Sequence, residues 1–207
     1  MKALITIALL LCAQWTFAQT PYEKAMNQAL EQWSAGNTTQ ASAMFERIAN
    51  AERENWIPKY YQALTLITAS FTKADPEEKN TLLNKVNSII PADEKELNSE
   101  WYVLKAMCLT SEMISDPMNL AMKLSPTIIA NYQKATAIDP TNPRAIYGLA
   151  EFNIQSKKFM GGSTEQECKD LQKALSLFAT AKKDILFHPN WGKERVEALV
   201  AQCSATK

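Results

Sequence analysis

Histidine is almost missing from this chain: among 207 residues there is one, His188. With no second imidazole there is no HExxH helix and no histidine cluster, so the common catalytic zinc sites are excluded. Glycine is scarce as well, at five residues. An all-β protein needs many tight turns, and so few glycines argue against one. Excess charge of either sign is absent too: 22 Lys and Arg balance 22 Asp and Glu. Signs that are balanced and interspersed leave no electrostatic footprint for nucleic acid or an anionic membrane. No apolar run reaches the ~20 residues of a membrane span, so no stable membrane insertion is expected. What the chain does have is 46% hydrophobic residues, too many for disorder, and abundant Ala, Leu, Lys, Glu, Gln and Met, which favour helices.

The first eighteen residues read as a secretory leader. Lys2 supplies a basic start, Ala3 to Leu11 an apolar stretch, and Thr16 and Ala18 small residues at the −3 and −1 positions. Cys12 follows Leu9-Leu10-Leu11, not the small residue that lipoprotein processing requires, so cleavage after Ala18 and a soluble product are expected. Residues 19–207 then form a single domain that works in the periplasm or outside the cell.

Of the four cysteines, Cys108, Cys168 and Cys203 survive cleavage. An odd number in an oxidising compartment leaves at least one thiol unpaired, and their spacing matches no metal motif. The turn near His188 folds the last helix back on the one before it. At ~1.5 Å rise per residue, Cys168 and Cys203 differ in height by roughly 7–8 Å. A Cys168–Cys203 disulfide is one reading and two buried free thiols the other.

Apolar residues recur at helical spacing from end to end, and polar breaks divide the pattern into nine helices. The first spans 21–34, opened by Pro21 and closed at Gly36; the second spans 38–53; the third starts near Pro58. Asp75-Pro76-Glu77-Glu78 caps the fourth, which ends at Pro91. The fifth runs from 93 to 114. Asp116-Pro117 opens the sixth, and Ser125-Pro126 kinks or divides it. The seventh covers 144–157 and is followed by a Phe159-Met160-Gly161-Gly162 loop. Ser163 or Thr164 caps the eighth, Glu167 offering Thr164 a capping box; the helix continues to about Leu186, and a ninth spans 191–203. No alternating strand pattern occurs, so the fold class is all-α.

Ile128, Tyr132, Ala135 and Pro140, followed by Ile146, Leu149 and Ala150, resemble the tetratricopeptide repeat; Ala29, Gly36, Ala41, Phe45 and Ile48 give a second match. More narrowly, Asp116-Pro117-Met118, the turn from Asp139 to Ala145 with the Phe159-Met160-Gly161-Gly162 loop, and Pro189-Asn190-Trp191-Gly192-Lys193 are similar to a group of secreted bacterial tetratricopeptide-like proteins. The resemblance implies antiparallel helix pairs stacked as a short right-handed solenoid, with a C-terminal capping helix. It also implies a concave groove lined by the first helix of each pair. On that pattern the groove candidates are Met26, Trp33, Tyr60, Tyr61, Tyr147 and Glu151.

Chemistry is not legible. Gly161-Gly162 lacks the remainder of a phosphate loop, and Glu77-Glu78 and Asp93-Glu94 sit where carboxylates offset a helix dipole. The expectation is therefore a protein that is not an enzyme and carries no cofactor or metal. It would bind a protein or peptide partner of the cell envelope along the groove. The alternative is a periplasmic small-molecule or lipid binding protein associated with a transporter, with Met and aromatic residues lining an apolar cavity.

Overall fold

A computed structural model describes residues 19–180 and 185–205; the expected leader, 1–18, lies outside them. Nine α-helices are found among the described residues: α1 Pro21–Ser34, α2 Thr38–Ala51, α3 Trp56–Ser70, α4 Pro76–Ile89, α5 Ser99–Met113, α6 Pro117–Ile138, α7 Pro143–Met160, α8 Glu165–Thr180 and α9 Lys193–Ala205. One 3₁₀ turn, Glu94–Glu96, precedes α5.

Local chemistry sets these boundaries. Thr20 and Glu23 form a capping box at the start of α1, with Pro21 in its first turn. Asn55, Asp75, Asn98, Asp116 and Asn142 cap α3 to α7 with their side chains. The expected fifth helix is divided: Asp93 caps only the 3₁₀ turn, and Asn98 restarts the chain as α5. The sixth is one piece, with Pro126 inside it. Proline has no N–H for the Met122 carbonyl one turn back, and that stretch faces water. The seventh runs on through Phe159 and Met160, the first half of the expected loop. The expected Thr164–Glu167 capping box does not form; Glu167 pairs with Lys157 instead, at 2.6 Å.

Consecutive helices pack as antiparallel hairpins, and α3, α5 and α7 lie side by side as one layer. Ser70 Oγ meets Ser111 Oγ at 2.7 Å, so the ends of α3 and α5 are level. Ser99 Oγ donates to the Ala135 carbonyl at 2.9 Å, placing the start of α5 beside the end of α6. A Cβ on Gly148 would stand 2.4 Å from the Tyr132 ring; only glycine lets α7 approach α6 so closely. The main core includes Met26, Phe45, Ile57, Leu64, Trp101 and Leu104. A second, around Leu171, Ala174, Val196 and Leu199, holds the C-terminal helices.

The expectation of a regular tetratricopeptide-like solenoid is corrected by this arrangement. Helices range from 13 to 22 residues, and the hairpins begin at Pro21, Trp56, Ser99 and Pro143, at lengthening intervals. In a solenoid each repeat touches only its neighbours. Here residues 187–191 cross the α3–α5–α7 layer and reach α1: Phe187 packs edge-on against Tyr22, and Trp191 Nε1 donates to Tyr60 Oη at 2.8 Å. Trp191 packs against both cores and so locks the last helices onto the first.

Cys168 and Cys203 are joined, with Cα atoms 5.9 Å apart, tying α8 to α9. Cys108 is the buried free thiol, and burial, with Glu112 nearby, pushes its pKa up to about 12. Replacing Cys168 and Cys203 by serine is expected to cost about 2–4 kcal/mol, read as a lower guanidinium midpoint. Cys108 is expected to resist iodoacetamide until the chain unfolds.

Candidate functional site

The starts of α5 and α7 meet in the interior. Asn142 Oδ1 caps the Arg144 N–H, while its Nδ2 donates to Ser99 Oγ at 2.9 Å and Glu100 Oε1 at 2.8 Å. Arg144 grips the same carboxylate through Nε, 3.0 Å from each oxygen, and through Nη2 at 2.7 Å. Tyr60 Oη donates to Glu100 Oε2 at 3.0 Å and accepts from Trp191. The Arg144 guanidinium also lies over the Phe178 and Trp191 rings, at 5.8 and 5.9 Å. Burial works against the charge on Arg144, but the Glu100 carboxylate more than offsets it and its pKa is raised.

An aromatic row extends this knot across the layer, and the α8–α9 segment lies on it. Phe187 meets Tyr22, His188 meets Trp56, and Trp191 meets Tyr147. Phe187 has a φ of 59°, a left-handed conformation that costs a bulky residue energy. Gly192, at φ 101°, passes so close to Tyr147 that a Cβ there would be 2.8 Å from its ring. Two open clefts flank this region. One, of about 610 Å³, is lined by Ala51, Asn55, Trp56 and Ile185 among others. The other, of about 740 Å³, includes Trp33, Thr72 and Leu82.

The groove candidates are placed as follows. Met26, Tyr60 and Tyr61 are core residues and Tyr147 is buried. Trp33 is half-buried against Tyr61 and lines the larger cleft. Glu151 is half-buried and pairs with Arg195 of α9. Tyr60 and Tyr61 share the aromatic row, Trp33 joins it through Tyr61 and Tyr147 through Trp191; Met26 and Glu151 are outside it. Sequence reading missed Glu100 and Arg144, because a lone Glu and a lone Arg 44 positions apart look like two solvated surface charges.

A different feature stands at the far end of α6 and α7. Met118, Met122, Phe159 and Met160 are 93%, 91%, 92% and 79% exposed. Each forgoes about 1.5–3 kcal/mol of burial. Among the described residues no group of three or more His, Cys, Asp or Glu is placed to hold a metal ion. Nor is any helix long and apolar enough to cross a membrane.

No family model matches the chain, and no curated protein matches it either. Among solved structures it is similar to the HusA haemophore from Porphyromonas gingivalis, with a TM-score of 0.71 and 24% identity. The alignment covers 91% of this chain and 95% of the haemophore. The chain therefore shares the all-α fold of that haemophore. This likeness overturns the assignment to secreted tetratricopeptide-repeat proteins, together with the solenoid it implied.

Removing one partner of the interior pair strands the other charge. R144M and E100Q are each expected to lose about 3–5 kcal/mol, while the double variant E100M/R144M loses less than their sum, as chemical denaturation will show. Burial raises the phenol pKa of Tyr60 well above its usual value, raises that of Tyr61 to about 12, and raises those of Tyr132 and Tyr147 as well. The fold therefore favours the protonated phenols. Stability should be whole below pH ~10 and fall as pH rises beyond it, because the unfolded chain ionises first. Tyrosinate absorbance should then appear together with loss of helical circular dichroism.

Proposed function

We propose that this protein is a non-enzymatic binder of haem, or of a closely related flat, apolar metal-bearing small molecule, working outside the cytoplasm. The observation that carries the reading is the fold likeness to a haemophore over nearly the whole length of both chains. The leader read at residues 1–18 supports an exported carrier whose partners are proteins of the cell envelope. The inner layer supports a small ligand over a peptide. A peptide groove needs an open face, and here residues 187–191 already lie along the aromatic row.

The test is titration of purified residues 19–207 with haemin, followed through its Soret band. The expected outcome is a saturable shift at about one equivalent, with Kd in the micromolar range or tighter, about −8 kcal/mol or better. A haemin spectrum that matches haemin in buffer at every protein concentration would overturn the reading.

A further inference from the structure

The larger cleft, of about 740 Å³, has the size of a small-ligand site. It opens where the α1–α2 turn meets the end of α3, with Leu82 of α4 as its apolar wall. Neither Glu100 nor Arg144 lines it. Trp33 supplies the one aromatic ring of the lining. Tyr61 meets that ring edge-on, with centroids 6.2 Å apart, and the indole stays half-buried, its N–H given to no protein group. The one charged side chain of the lining, Lys73, is paired with Glu78 at 2.6 Å.

The rest of the lining is mostly neutral and hydrogen-bonding. Helices α1 and α3 to α7 each carry a side-chain cap, and α2 has none. Asn37 stands at its N-cap position but sends Nδ2 to Gln32 Oε1 at 2.8 Å, which leaves its own Oδ1 free. Among the described residues the side chains of Thr38, Thr39 and Gln40 hold no hydrogen bond. Across the cleft Thr68 and Thr72 donate to the Thr65 and Ala69 carbonyls, so their oxygens can still accept. The polarity continues beneath the floor. Ser42 follows Thr38 and Thr39 by four and three residues, and Thr65 precedes Thr68 by three; such spacings share a helix face. Both residues are buried, and neither hydroxyl meets a protein partner.

We infer that this cleft, built from Trp33, Asn37, Thr38, Thr39 and Gln40 opposite Thr68 and Thr72, binds a neutral carbohydrate. A sugar carries hydroxyls around its rim and C–H groups on its ring faces. The Trp33 indole suits such a face, being a flat apolar body with a polar N–H at one edge. The free hydroxyls and amides beside it both give and accept hydrogen bonds, as sugar hydroxyls require. Charge decides against other small ligands. A phosphate or polycarboxylate calls for an uncompensated cation, and Lys73 is already matched by Glu78. A wholly apolar ligand would take these polar groups out of water and leave them unpaired. The site is independent of the haem reading above.

The test follows the backbone amide NMR signals of residues 19–207 during titration. Cellobiose, maltose and diacetylchitobiose serve as neutral probes, sialyllactose and sodium phosphate as anionic ones. At least one neutral disaccharide is expected to shift the signals of residues 36–40 and 68–73 saturably, with a Kd of about 1 mM or tighter. The anionic probes are expected to leave those signals in place. Thr39 and Gln40 are exposed, so T39V/Q40L should keep the parent circular dichroism and melting temperature while weakening that disaccharide about tenfold. W33A is expected to weaken it as much, and W33F, which keeps a ring against Tyr61, to recover part of the loss. Parent-like affinity in both T39V/Q40L and W33A would overturn the site. So would the absence of any shift at residues 36–40 and 68–73 with all three neutral disaccharides. Shifts there with sialyllactose or phosphate in place of the neutral probes would overturn the ligand class.

Discussion

Everything in the interior is arranged around one carboxylate. Glu100 sits in the first turn of α5, where the helix dipole favours a negative charge, and it is 3% exposed. A carboxylate so far from water persists only if its oxygens are supplied with donors. Three parts of the chain provide them: Tyr60 from α3, and Asn142 and Arg144 from the α6–α7 turn and the start of α7. Each donor has a second obligation. Asn142 caps its helix, Tyr60 accepts the Trp191 indole, and Arg144 lies under two aromatic rings. A buried ion pair adds little net stability against a well-packed apolar substitute. Its contribution here is geometric, because one charge sets the relative positions of α3, α5, α7 and the α8–α9 segment.

That geometry explains why the molecule is not a simple stack. Helical hairpins added in sequence would leave the α3–α5–α7 layer open and let each pair respond mainly to its neighbours. The crossing of residues 187–191 changes the connectivity of the packing. Phe187 reaches back to α1 and Trp191 belongs to both cores, so the two ends of the chain are mechanically coupled. The left-handed backbone at Phe187 and the close pass of Gly192 over Tyr147 show how tightly the path is fitted. Such local cost is tolerated where surrounding contacts over-determine the conformation.

Helix number and most helix starts were legible in the sequence, because Asn, Asp and Pro punctuate this chain in positions where capping chemistry leaves little choice. The pairing of Cys168 with Cys203 was one of two readings that helix rise alone left open. What the sequence hid was long-range. A motif such as Ile128–Tyr132–Ala135 records how two adjacent helices touch, and that local contact is present: Tyr132 does pack on Gly148. Nothing in it states that residue 191 will cross to residue 60. The exposed end of α7 was hidden for another reason. Phe159-Met160-Gly161-Gly162 reads as a loop, since its glycines end helices, yet α7 continues to Met160 and displays both apolar side chains. Apolar periodicity is a guide to what is buried and is silent about apolar residues held out in water.

The bond between Cys168 and Cys203 encloses the crossing segment within a covalent ring. Connecting segments are the usual places for a proteolytic cut. Here a single hydrolysed peptide bond anywhere between the two cysteines would leave both fragments attached through sulfur. The severed protein would keep α9 beside α8 and Trp191 within reach of Tyr60, so damage to the backbone need not become loss of the C-terminal piece.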